Sequence, residues 1–285
     1  MLEAQAIARN CPHISVLRAA GSRPPIVLFP GIEGYPFAFR RLADDFDSDQ
    51  PVLATQLPGG NDDEACVEYS IEEMTSVLAP QILAACPSGP IVLGGYSLGI
   101  LPAFELAVRL RTSRRVALVV SFDGFAPQFY RAMKPLHGRL WAHGRSTLSD
   151  AQWRVREALA RTASRAHVAA MGQSRALDER HGRARQARLQ VLRQRAVMRY
   201  RPQQSITAAM LLFRAERPID WLAGKTVDPL YGWERYVAGP IDAHTLPASH
   251  ETLLSDYPNR DVIVRLIARN LDDTLSSLAR NAVSR

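Results

Sequence analysis

A serine hydroxyl is a useful nucleophile at neutral pH only beside a base that takes its proton, and that base works best when an acid orients it. The chain places one serine in a setting suited to that work. Ser97 lies in Gly95-Tyr96-Ser97-Leu98-Gly99, directly after the apolar run Pro90-Ile91-Val92-Leu93-Gly94. That run reads as a buried strand, and Leu98 to Arg111 reads as a helix from apolar residues at Leu101, Phe104, Leu106, Ala107 and Leu110. Gly-x-Ser-x-Gly between a strand and a helix is the pattern of a nucleophile elbow. Its turn forces the serine into strained backbone and needs glycines where a Cβ would collide. The chemistry it serves is acyl transfer, with the Leu98 N–H at the helix N-terminus stabilising the oxyanion.

The base is sought among His13, His137, His143, His167, His181, His244 and His250. His250 alone sits between the last strand pattern and the last helix pattern. Two strand ends offer the acid. Asp123-Gly124 closes Val116 to Phe122, while Glu216, Asp220 and Asp228 follow the strand that ends near Phe213; Asp123 is favoured because it directly follows an apolar strand. Ser97, acid, His250 is the chain order of the α/β-hydrolases. A second oxyanion donor is expected from the loop Gly31-Ile32, so that the pair of N–H groups belongs to Ile32 and Leu98.

Strands are read at Pro25 to Phe29, Pro51 to Gln56, Val116 to Phe122, Ala208 to Phe213 and Asp242 to Leu246. Helices are read from about Pro36 to Phe46, from a Ser70 cap to about Cys86, and from Arg260 to Ala279. Alternating strands and helices imply a mainly parallel, doubly wound sheet whose functional groups gather at the strands' carboxyl ends. Between Gln128 and Gln204 the sheet pattern gives way to helical spacing at Ala151 to Met171 and Arg183 to Tyr200. The reading is a single α/β-hydrolase domain over residues 1–285, with an arginine-rich helical lid inserted at 128–204.

At 285 residues, with 47% hydrophobic and 22% charged residues, the chain has the composition of a soluble globular enzyme. No apolar run approaches the about 18 residues that span a bilayer. The N-terminal ten residues carry Glu3 and lack a hydrophobic signal core, so a cytoplasmic location and no membrane partner are expected. Cys11, Cys66 and Cys86 are scattered without metal-ligand spacing and read as reduced thiols; no metal is expected. The net charge of +7 is concentrated in one place: residues 128–202 hold sixteen arginines and one lysine against Asp150, Glu157, Asp178 and Glu179. No aromatic–basic interleaving accompanies them, which argues against a nucleic-acid module.

Several segments together resemble the thioesterase domains of polyketide synthases and nonribosomal peptide synthetases. These are Leu28-Phe29-Pro30-Gly31-Ile32-Glu33-Gly34-Tyr35, the elbow with Ala103-Phe104-Glu105-Leu106-Ala107, Phe122-Asp123-Gly124, Gly232-Trp233 and Pro247-Ala248-Ser249-His250-Glu251-Thr252-Leu253-Leu254. The resemblance runs through nearly the whole chain, apart from the arginine-rich lid, and places the family's acid at Asp123. One departure is Ala248, where the family often has glycine. The resemblance implies release of an acyl, polyketide or peptide chain from the phosphopantetheine thiol of an acyl or peptidyl carrier protein. The acyl-enzyme forms on Ser97 and is resolved by hydrolysis or macrocyclisation, with no cofactor bound to the enzyme itself. Such carriers are acidic, a natural partner for the arginines. A free-standing editing thioesterase that clears misprimed carriers shares this chemistry, and a serine esterase on free esters is the third enzyme reading.

Overall fold

The computed structural model describes residues 7, 9–59, 66–132, 173–217, 219 and 227–283. Among them, seven strands form one sheet: β1 (Ile14–Arg18), β2 (Ile26–Phe29), β3 (Val52–Thr55), β4 (Ile91–Tyr96), β5 (Val116–Phe122), β6 (Ala209–Arg217) and β7 (Ile241–Ser249). Their order is β1-β3-β2-β4-β5-β6-β7. β1 runs antiparallel to β3 and the other pairings are parallel. The helices are α1 (Arg40–Asp44), α2 (Ile71–Ala85), α3 (Ile100–Leu110), α4 (Pro127–Ala132), α5 (Gln173–Arg199) and α6 (Tyr257–Val283).

The two-residue period of a strand divides the core. Val27, Phe29, Leu93, Val119 and Leu212 point into one cluster with α2, α3 and the end of α5; Ile26, Leu28, Val92, Val120 and Phe213 point into another with α1 and α6. Strands covered on both faces read as unbroken apolar runs, which is why β4 and β5 are plain in the sequence. The start of α2 is fixed by a reciprocal cap. Ser70 Oγ accepts from the Glu73 N–H at 3.1 Å, and Glu73 Oε2 accepts from the Ser70 N–H at 2.7 Å.

The structure amends the sequence reading at several boundaries. β1 was not expected: it is an edge strand, half-buried beyond Ile14, and carries little of the apolar signal of its neighbours. The expected helix at Pro36 to Phe46 is a 3-10 turn, Pro36–Phe39, followed by the short α1. The helix expected from Leu98 starts as a 3-10 turn at Ser97–Gly99 and becomes α3 at Ile100. β6, β7 and α6 are longer than expected. Within the arginine-rich segment, α5 covers the stretch expected at Arg183 to Tyr200, whereas Ala151 to Met171 lies outside the described residues.

Strand register brings the functional ends together. Phe29 pairs with Gly95, Tyr96 with Phe122, and Phe122 with Phe213, so β2, β4 and β5 end level with one another while β6 runs on to Arg217. Ser97, Asp123 and the Gly31–Tyr35 loop therefore leave the sheet at the same edge. β7 runs alongside β6 as far as Arg217↔Ser249, which delivers His250 to that edge as the next residue.

Candidate active site

Among the described residues, the non-glycine positions with positive φ are Ser97 at 55°, Asp123 at 52° and Tyr231 at 52°. That region costs an L-residue on the order of 1–2 kcal/mol, and it persists only where surroundings enforce it. At Ser97 the enforcement is steric room. A Cβ on Gly95 would lie 2.3 Å from the Ile100 backbone, and one on Gly99 would lie 2.3 Å from the carbonyl oxygens of Phe29 and Pro30. Only glycine lets the turn approach both so closely. The Leu98 N–H lies in the first turn of this helix, where no intrahelical acceptor reaches it.

Asp123 is 1% exposed and His250 8%. His250 Nδ1 stands 2.6 Å from Asp123 Oδ2, while Asp123 Oδ1 accepts from the Ala215 N–H at 2.8 Å and the Tyr231 hydroxyl at 2.9 Å. A carboxylate this deep is tolerated because each oxygen has a donor. Ser97 Oγ is not hydrogen-bonded to the ring among the described residues. Its neighbour Tyr96 joins the elbow to the histidine instead: the Tyr96 ring stacks on His250 with centroids 5.0 Å apart, and its hydroxyl donates to the His250 carbonyl at 2.8 Å. Burial first, then the charges of Glu251, Glu33 and Asp123, push the Tyr96 hydroxyl far above the usual phenol range, so it stays a donor.

The alternative acids take other places. Glu216 is exposed near the end of β6, and Asp220 lies outside the described residues. Asp228 Oδ1 and Oδ2 accept from the Leu230 and Gly232 N–H groups at 2.8 and 2.9 Å, which holds the turn carrying Tyr231. Tyr231 is the member of this cluster that sequence reasoning missed. It is 3% exposed, stacked on Phe125 at 4.1 Å, with the Arg214 guanidinium 4.9 Å above its ring. Burial, then the Asp123 charge, raise its pKa far above the phenol range. The signal that could have found it is the adjoining Gly232-Trp233.

The Gly31–Tyr35 loop packs against the elbow, since a Cβ on Gly31 would meet the Tyr96 ring at 3.2 Å. The Ile32 N–H has no acceptor among the described residues. Of the other histidines, His13 faces Gln81 with Nδ1 3.1 Å from Nε2, His244 lies within β7 and His181 on α5. His137, His143 and His167 lie outside the described residues. A groove of about 630 Å³ bordered by Phe37, Arg40, Tyr96, Glu251 and Leu254 adjoins the His250 loop. No set of three or more His, Cys, Asp or Glu side chains among the described residues gathers around a metal position, and no helix among them is long and apolar enough to cross a membrane.

Known proteins resemble this chain in sequence and in fold. The chain is 36% identical over 120 residues to the malpinin synthetase of Mortierella alpina, which spans 42% of this chain and 2% of that protein. Against an indigoidine synthase of Streptomyces lavendulae the identity is 30% over 109 residues, 38% of this chain and 8% of the relative. The chain thus corresponds to a small part of these large proteins. Among solved structures, the Vlm2 thioesterase domain bound with a dodecadepsipeptide superposes with a TM-score of 0.63 at 22% identity, covering 91% of this chain and 98% of that one. The type II thioesterase BorB of the borrelidin cluster gives 0.59 at 21%, covering 91% and 96%. These likenesses establish the α/β-hydrolase fold. A sequence-family model described as "Thioesterase domain" matches residues 24–271, and the chain therefore belongs to the thioesterase-domain family of hydrolases found in nonribosomal peptide and polyketide synthesis.

Proposed function

We propose that this protein releases an acyl, polyketide or peptide chain from the phosphopantetheine arm of an acyl or peptidyl carrier protein, by hydrolysis or macrocyclisation, through an acyl-enzyme on Ser97. The observation that carries the reading is the buried 2.6 Å contact between His250 Nδ1 and Asp123 Oδ2, in a loop tied to the elbow by Tyr96. With Nδ1–H donated to Asp123, His250 Nε2 is free to take the Ser97 proton as Oγ attacks the thioester carbonyl. The tetrahedral oxyanion is held by the N–H groups of Leu98 and Ile32. Its collapse breaks the C–S bond, and the pantetheine thiol leaves with the proton from His250. Water, or a hydroxyl or amine of the chain, then attacks the acyl-serine, giving its proton to His250, which returns it to Ser97. The phosphopantetheine arrives with the substrate, so the reading calls for no cofactor bound to the enzyme.

The segment 128–204 is read as the lid over this site and as the face that meets an acidic carrier. Arg188, Arg195 and Arg199 are exposed on α5, and although Arg195 and Arg199 share Glu68 as an ion-pair partner, three cations against one carboxylate leave that face positive. Charge of this kind speeds encounter more than it adds affinity, so the apparent on-rate should fall as salt rises.

The direct test is intact-mass spectrometry of wild-type and Ser97→Ala protein mixed with an acyl-loaded carrier protein. Wild type should gain the acyl mass and the carrier should lose it, while the alanine variant does neither. Equal carrier deacylation by both proteins would overturn the assignment. Repeating the measurement with acetyl and with long-chain carriers separates editing from offloading.

A further inference from the structure

Among the described arginines of residues 128–202, Arg193 stands apart as the buried one. It is 2% exposed on α5, and among the described residues its hydrogen bonds go to backbone and not to a carboxylate: Nη1 donates to the Ile32 carbonyl at 3.0 Å and to the Glu33 carbonyl at 2.8 Å. Nε and Nη2 are buried without a hydrogen-bond partner. Gly34 is what admits it. With φ at 78°, Gly34 presents a bare Cα to the guanidinium, and a Cβ there would lie 2.3 Å from Arg193 Cζ. Burying a cation in this state is costly, and burial accordingly lowers the guanidinium pKa to about 10, opposed by Tyr35 and Glu33. It is still a cation at neutral pH.

What that cation does follows from the loop's hydrogen bonds. The Gly31 carbonyl accepts from the Gly34 N–H at 3.0 Å and the Gly34 carbonyl from the Leu57 N–H at 2.9 Å. Arg193 takes the two carbonyls between them, with Gln186 Nε2 also on Glu33 at 2.8 Å. Every carbonyl from Gly31 to Gly34 is thus held, while the Ile32 N–H has no acceptor among the described residues. A loop whose acceptors are all anchored cannot rotate its peptides without breaking charge-assisted bonds.

We propose that Arg193 is a positioning residue for the oxyanion site. From α5 it locks the peptides of residues 31–34 and sets a buried positive charge behind the loop that supplies the Ile32 N–H. The proposal rests on the reading of Ile32 as an oxyanion donor. It gives one part of the arginine-rich segment a task in the chemical step, separate from any partner. Fixed charge in a water-poor site favours developing negative charge without reorganisation, so the effect belongs to the transition state.

The test compares wild type, Arg193→Met and Arg193→Lys as full chains in two assays. One is labelling by a fluorophosphonate, in which the Ser97 Oγ–P bond forms, the P–F bond breaks, and fluoride and the serine proton leave. The other is turnover of p-nitrophenyl acetate. Arg193→Met should slow labelling and lower kcat about tenfold with KM within twofold and an unchanged thermal midpoint. Arg193→Lys, which keeps a positive charge but not the planar guanidinium whose Nη1 bridges the two carbonyls, should fall between the two. Wild-type rates in Arg193→Met, or a raised KM at constant kcat, would overturn the proposal. If Arg193→Met does not fold, the lysine variant decides: a folded Arg193→Lys at the wild-type rate would overturn the positioning role of the guanidinium. Failure of wild type to label at Ser97 refutes the site itself and is distinguishable from all of these.

Discussion

The two sides of the site are both built around a buried charge, and they are satisfied to different degrees. Asp123, 1% exposed, has donors on both oxygens, from His250, Tyr231 and Ala215. Arg193, 2% exposed, uses one nitrogen for two carbonyls and leaves two nitrogens without partners. Buried polar networks rigidify when complete and are costly when partial. The acid side therefore has one arrangement, fixed by hydrogen bonds and enforced strain. The loop side is held in part by a cation that is only partly satisfied, carried on a helix from the arginine-rich segment. Removing the buried carboxylate should accordingly abolish chemistry, whereas removing the buried cation should scale it.

The largest expected effect is at Asp123. Asp123→Asn keeps the shape, but the amide places an N–H where a carboxylate oxygen accepted, and His250 loses the partner that fixes its tautomer. Steady-state turnover of p-nitrophenyl acetate should drop by about 10⁴-fold. A loss below about tenfold would mean that another carboxylate serves His250, and the described alternatives, Glu216 and Asp228, would return to consideration.

The legibility of the two sides in the sequence differs for the same reason. Ser97 and Asp123 each directly follow a buried apolar strand, the clearest pattern a doubly wound sheet leaves in a sequence, while His250 follows the half-exposed edge strand β7 and was placed by its position before the last helix. β4 and β5 could be bounded almost to the residue. β1 was lost because an edge strand buries only part of its surface and its alternation in Ile14–Arg18 is faint. Tyr231 and Arg193 were lost for a different reason: their roles depend on contacts across 108 and 161 positions in the chain, which no local periodicity encodes. Arg193 was further hidden by its company. In a segment of sixteen arginines the bland expectation is a solvated face, and α5 does present Arg188, Arg195 and Arg199 to solvent while one turn of the same helix carries the buried cation. Gly34 held the missing clue, since a glycine that must leave room for a guanidinium looks no different from a turn glycine.

The next effect in size sharpens the acid side. Tyr231→Phe removes one of three donors to Asp123 and leaves the ring on Phe125. A hydrogen bond to a charged group is worth about 1.5–3 kcal/mol, so the thermal midpoint should fall, and kcat should drop about fivefold as Asp123 gains freedom. The informative measurement is the double-mutant cycle with Asp123→Asn. If Tyr231 acts through the carboxylate, the second substitution should cost almost nothing further once the first is present. Additive losses would show that the Tyr231 hydroxyl contributes independently of the Asp123 carboxylate.

The smallest expected effect tests the loop side's dependence on charge. Gln186 and Arg193 lie two turns apart on one face of α5, and both donate to the Glu33 carbonyl, at 2.8 Å each. Gln186 differs in being neutral and more exposed, and in leaving the Ile32 carbonyl alone. If anchoring by the helix in general positioned the loop, losing either side chain would slow turnover comparably. If the buried guanidinium is what matters, Gln186→Ala should change kcat less than twofold, because Arg193 still holds both carbonyls and still lends its charge. Measured beside Arg193→Met in the same turnover assay, equal losses would reduce the cation to one anchor among two, and a gap of about fivefold or more would assign the effect to the buried guanidinium.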